Sequence, residues 1–208
     1  MAIRISEAGY RSGVIASAAT AAYGIFQVAQ VAGLLRFPAD EVLIYGSSLC
    51  IVVPFLLEMT AFQHLAKGDA RYWAHSALIF SVIYAVFVTA NYVVQLATVI
   101  PSRLNGAGEP LRLLEQTPHS LFWDYDAIGY IALGLATLVA IPALDSAGAS
   151  ARRVRRAFIA HAAVTPLIAV VYFAPTFSTT LLVLGLPWAV TAPRFMWTLG
   201  RWLRTQAG

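Results

Sequence analysis

Apolar residues fall into six long runs, separated by short stretches that hold most of the charge. The runs cover about Gly13 to Leu35, Val42 to Ala66, Tyr72 to Ile100, Thr117 to Leu144, Val154 to Phe173 and Ser178 to Leu199. Each reaches the roughly 20 residues a helix needs to cross a hydrocarbon core of about 30 Å. Helices are the form that satisfies the backbone of such segments in lipid. The first run follows Arg4 and Arg11. It is longer than the apolar part of a signal peptide, about 7–15 residues, and reads as a true span. The third stops at Pro101, and the fourth opens at Thr117-Pro118, an N-cap followed by proline at the first helical position. The pattern predicts an all-α, polytopic bundle of six transmembrane helices, one transmembrane domain over residues 1–208.

Charge sharpens this reading. Only 12% of residues are charged, against about a quarter in a soluble domain, too few to coat a water-facing surface. Basic residues also sort by loop. With the N-terminus inside, inner segments hold Arg4, Arg11, Lys67, Arg71, Arg152, Arg153, Arg155, Arg156, Arg201 and Arg204. Outer loops hold only Arg36, Arg103 and Arg112. This bias predicts that both termini are cytoplasmic, N-in and C-in. No basic stripe interleaved with aromatics is present, so no nucleic-acid partner is expected. The run Arg152-Arg153-Val154-Arg155-Arg156 sits between two spans, where membrane lipids with anionic headgroups attract it. The single cysteine, Cys50, forms no intrachain disulfide and reads as a small buried hydrophobe. The single lysine, Lys67, lies outside the spans, which excludes a Schiff base within one.

Ionisable and polar residues inside spans are costly and face the bundle interior by default. Two groups emerge. An inner polar cluster gathers Glu58, His161 and Arg194 at similar depth, with Pro54 and Pro193 nearby as sites of local helix breakage. It reads either as a Glu58–Arg194 ion pair or as a proton- or anion-handling site, with His161 and Thr165 on one face. An outer group draws Phe80, Tyr84, Phe87, Asn91, Gln95 and Thr98 from the third span. The fourth span adds His119, Asp126, Tyr130, Leu133 and Thr137 on one face. Asp124 lies about 200° around the helix from Asp126, so Asp126 is the carboxylate expected to point inward. Gln27 and Gln30 could join from the first span. These residues could line a cavity open to the outside, or Asn91 and Gln95 could simply bond neighbouring helices together. The segment from Glu109 to Glu115 reads as a short amphipathic helix on the membrane surface or as a cap over the cavity mouth.

Other chemistry finds little footing. Asp124-Tyr125-Asp126 is a weak metal-binding signal beside the simpler role of acids near a helix N-terminus, and no metal site is expected. Trp123 and Tyr125 read as an interfacial aromatic belt. Haem would need two histidines at matched depth, and His64 with His161 is a poor match; no cofactor is predicted. Phosphate-binding glycine loops, GxSxG, HExxH and aspartate-rich prenyl-diphosphate motifs are absent.

The segments Asn91-Tyr92-Val93-Val94-Gln95-Leu96 and Ser120-Leu121-Phe122-Trp123, continuing to Gly129-Tyr130, resemble a pattern in bacterial six-helix integral membrane proteins without an assigned activity. The resemblance implies a bacterial cytoplasmic (inner) membrane protein and no particular chemistry. The leading expectation is a sensor, carrier or accessory subunit that binds a small, largely apolar ligand. Asn91, Gln95, Asp126 and Tyr130 would orient that ligand, and Tyr84 and Phe87 would pack its body. One rival is a membrane isomerase or cyclase acting on a lipid-like substrate, with Glu58 or Asp126 as general acid and His161 a further catalytic candidate. Another is a small proton-coupled transporter using Glu58, His161 and Arg194. Homo-oligomer contacts are expected at Gly24, Gly33 or Gly46, if anywhere.

Overall fold

The computed structural model describes residues 4–107, 109–144 and 148–206, and all regular structure among them is helical. Helix α1 spans Ile5–Val31 and α2 spans Ala39–Leu65. Helix α3 runs over Ala70–Leu104, and α4 is Leu121–Ala140, extended by a 3-10 turn, Ile141–Leu144. Helices α5, Ala149–Ala162, and α6, Thr165–Phe173, together make the fifth crossing. A 3-10 turn, Thr179–Gly185, leads into α7, Leu186–Thr205. Among the described residues five segments, Ile5–Val31, Ala39–Leu65, Ala70–Leu104, Leu121–Leu144 and Ala149–Phe173, are long and apolar enough to traverse a membrane. The sixth falls short because α7 carries Arg194, Arg201 and Arg204. It is held instead by an apolar stripe, burying Trp188, Ala192, Phe195, Met196, Leu199 and Leu203 at helical spacing.

The helices close a ring. Helix α1 packs on α2 and α7, α2 on α3, α3 on α4, α4 on α5 and α6, and α5 on α7. Valines and leucines such as Val53, Leu57 and Val86 cover the outside, while Glu58, Asn91, Gln95, Asp126, Thr137 and His161 are buried. Large apolar side chains exposed over most of a surface suit lipid rather than water. The molecule is a helical membrane protein.

Several boundaries differ from those expected. Helix α3 does not stop at Pro101 but continues to Leu104 through a π-helical turn, Gln95–Val99. Proline has no N–H to offer the preceding turn. The widened turn accommodates this, with the Ile100 N–H donating to the Gln95 carbonyl. Helix α4 begins at Leu121 rather than Thr117. Ser120 caps it by accepting the Trp123 N–H at 3.2 Å, and His119 sits before it with φ of 65°, exposed and off the Asp126 face. The basic run 152–156 lies within α5, not between crossings. The fifth crossing breaks at 163–164, because Pro166 has no N–H to donate to the turn before it. The break separates His161 from Thr165, which sits instead over Gly134 of α4. Helices α2 and α7, by contrast, run unbroken through Pro54 and Pro193. Cys50 is exposed on the outer face of α2, not buried. Gly24 packs within the chain: a Cβ there would lie 3.1 Å from Cβ of Ala189 on α7.

Candidate functional site: a tyrosine-lined cavity backed by Asp126

Positions 84, 88, 91, 92, 95 and 99 of α3 are buried, a stripe with helical spacing. It faces the stripe of Asp126, Tyr130, Leu133 and Thr137 on α4. The two stripes meet at Asp126, whose side chain is buried. Its Oδ1 accepts the Tyr92 hydroxyl at 2.7 Å and the Asn91 amide at 3.4 Å. Its Oδ2 accepts the Tyr172 hydroxyl at 2.5 Å and the Gln116 amide at 3.0 Å. Four neutral donors from α3, the outer loop and α6 thus converge on one carboxyl group, an arrangement suited to the anion. Asp124, two residues earlier, is exposed.

The outer loop closes over this group. Gln116 accepts from Asn91 through Oε1 at 3.0 Å, and its backbone N–H donates to Gln95 Oε1 at 3.2 Å. Gln95 in turn donates to the Leu114 carbonyl at 2.7 Å. The segment Glu109–Leu114 is a 3-10 helix that leads into this plug; the Glu109 and Pro110 side chains lie outside the described residues. The polar mouth expected to open outward is therefore stoppered by Gln116.

The cavity lies on the other side of Tyr172. It encloses about 380 Å³ between α1, α4, α6, the Thr179–Gly185 turn and α7. Tyr23, Tyr130 and Trp188 form its aromatic wall: Trp188 meets Tyr130 edge-on at 5.0 Å and Tyr23 at 5.4 Å. Tyr130 contacts Tyr92 oxygen to oxygen at 3.0 Å, so the wall connects to Asp126 through a second hydroxyl. Gln27 donates to the Tyr23 hydroxyl at 2.9 Å. Val28, Val31, Val183 and Leu186, each at least half exposed, also line it, so it opens on the apolar flank of the bundle.

Of the residues expected to hold the ligand only Tyr130 lines this cavity, together with Gln27, expected to join from the first span. Asn91, Gln95 and Asp126 are brought together but lie behind the wall, engaged with Tyr92, Tyr172 and the loop. Tyr84 is buried one layer further in, edge-on to Phe55 at 5.7 Å. Phe87 packs on Tyr125 at 5.2 Å, away from the cavity. Gln30 is turned to Asp40 at 2.9 Å. Trp123 is more than an interfacial ring: its indole N–H donates to the Tyr172 carbonyl at 3.3 Å and helps seat α6. Sequence reasoning missed Tyr23, Tyr92, Gln116, Tyr172 and Trp188. Tyr23 stands one turn before Gln27, a spacing that could have marked it.

The inner cluster does not assemble. Among the described residues no hydrogen bond or ion pair joins Glu58, His161 and Arg194. Glu58 is fully buried where α1 and α7 cross, against Gly13 and the Gly200 backbone, and among the described residues neither carboxyl oxygen has a side-chain hydrogen-bond partner. His161 contacts Thr191 through Nδ1 at 3.0 Å and lies 4.6 Å from the Phe195 ring. Arg194 is exposed, about 100° around α7 from Phe195, and among the described residues makes no hydrogen bond or ion pair with either group. Similar depth brought these residues together on paper, but their directions around the helices differ. His64, His75 and His119 are exposed, so His64 does not face His161. Among the described residues no group of three or more His, Cys, Asp or Glu side chains is placed to hold a metal ion.

No family model matches the chain, and neither a curated protein nor a solved structure matches it.

Proposed function

We propose that this protein is a multi-pass protein of the bacterial cytoplasmic membrane, with both termini in the cytoplasm. We propose further that it holds a small, largely apolar molecule in the flank cavity. The ten-to-three division of basic residues supports the orientation. The observation that carries the ligand reading is a cavity of about 380 Å³ with an apolar mouth and hydroxyls of Tyr23, Tyr130 and Tyr172 along its wall. That volume falls within the roughly 300–1,000 Å³ typical of small-molecule sites, and a few polar groups in an apolar lining are their usual composition. The ligand has an apolar body and one hydroxyl or carbonyl end, and it enters from the bilayer.

The test is native mass spectrometry on protein purified in mild detergent. A discrete non-lipid mass on the wild type, lost in Val183→Trp at the mouth, is the expected result. Bare protein, or phospholipid alone on both, overturns the reading. A second reading, acid–base catalysis on a lipid-like substrate, is favoured by one residue: Tyr172 lines the cavity and donates its hydroxyl to the carboxyl group. It predicts that Tyr172→Phe accumulates an unconverted molecule in the cavity. Recovery of the same mass from wild type and variant refutes it.

A further inference from the structure

A second concavity lies at the opposite end of the bundle. The first turns of α1 and α5 and the last turns of α7 enclose a groove of about 660 Å³. Arg153 from α5 and Arg201 and Arg204 from α7 line it, with the hydroxyls of Ser150 and Thr198 beside them. Aromatic rings hold two of the guanidinium groups. Arg204 lies 4.6 Å from the centre of the Tyr10 ring and Arg201 lies 5.9 Å from that of Trp197. Glu7 approaches Arg204 at 3.8 Å but is already paired with Arg11 at 2.8 Å. Three cations therefore border the groove, with one shared carboxylate at its edge. Forked guanidinium donors set against hydroxyls are the chemistry that recognises phosphate.

The outer face of α7 identifies the source of that phosphate. Val190, Arg194, Trp197, Arg201 and Arg204 recur at i, i+4, i+7, i+11 and i+14, one exposed line along the helix. Val190 is 65% and Trp197 40% exposed. Below mid-helix, where Arg194 stands beside Val190, the line passes from aromatic Trp197 to basic Arg201 and Arg204. A phospholipid presents interface and headgroup in the same order.

We propose that the groove seats the phosphate of an anionic phospholipid, with Arg153, Arg201 and Arg204 around the headgroup. Binding of phosphatidylglycerol and phosphatidylcholine to the full chain in mild detergent is compared by native mass spectrometry. Three arginines near the surface predict a preference for phosphatidylglycerol of about tenfold or more. The triple variant R153Q/R201Q/R204Q loses it, while R36Q/R112Q, at the other end, keeps it. A preference that survives in the triple variant overturns the proposal. If the triple variant fails to fold, R153Q alone and a salt titration of the wild type decide. Insensitivity to both overturns the proposal, because exposed charge contacts weaken with salt. Inorganic phosphate is the control for a soluble source. Displacement of phosphatidylglycerol by millimolar phosphate would make the groove a soluble-anion site and overturn the lipid assignment.

Discussion

Tyr172→Phe tests the convergence on Asp126 most directly, because it removes one hydroxyl and leaves the ring. The lost bond is the shortest of the four, 2.5 Å to Oδ2, and that oxygen keeps only the Gln116 amide at 3.0 Å. A hydrogen bond to a charged group is worth about 1.5–3 kcal/mol, whereas neutral polar contacts between membrane helices average about 0.6 kcal/mol. With no cavity created, the expected loss is about 2 kcal/mol, or a fall in Tm of roughly 4–8 °C for a chain of this length. Scanning fluorimetry in detergent reads it. Tyr125→Phe is the control, since Tyr125 contributes ring contacts to Phe87 and Phe122. Asp126→Asn should cost more. Its amide must turn a donor toward one of two donor pairs, and Gln116 can flip to accept only by giving up its bond from Asn91. A Tyr172→Phe variant melting within about 1 °C of wild type would refute the idea that this carboxyl group organises the outer half of the bundle.

Gly134→Ala should destabilise by about 1–3 kcal/mol through overpacking, because a Cβ there would lie 2.8 Å from Cβ of Thr165; Thr165→Gly in the same chain should restore part of the melt, and an unchanged single variant counts against the tight α4–α6 junction. Gly13→Ala should cost a similar amount, since its Cβ would meet Glu58 and come within 2.9 Å of the Gly200 backbone. Gln116→Ala removes the side chain that closes the outer mouth, and faster amide exchange in the loop before Ser120 is expected; exchange equal to wild type argues against the plug. With Cys50 replaced by alanine, a cysteine at Asn105 should react with an impermeant maleimide on whole cells and one at Thr205 should not. The reverse pattern would invert the topology.

The sequence was most legible where a single periodicity decided the outcome. Asp126 rather than Asp124 turns inward because two residues differ by about 200° on a helix. The stripe of Asn91 and Gln95 followed from the same count. Tyr172 escaped because the break at 163–164 resets the helical phase between His161 and the end of the fifth crossing. Gln116 lies in a loop, where no periodicity operates and only tertiary contact says which way a side chain turns. The Glu58–Arg194 pair failed for a related reason. Depth counted from helix ends fixes height but not direction, and Arg194 stands about 100° around α7 from the buried Phe195.

The polarity of α7 has a consequence for biogenesis. An arginine at the centre of a helix costs about 2.5–3.5 kcal/mol on the scale set by insertion at the translocon, and Arg194 sits near the middle of α7. This helix gains little from lipid and much from the apolar groove that α1, α2 and α5 offer to Trp188, Phe195 and Leu199. Those partners precede it in the chain, so α7 is expected to pack last, against helices already in place. A chain whose α1 is damaged at Gly13 should therefore fail not only at that crossing but also, some 190 residues later in synthesis, by releasing an uninserted C-terminus.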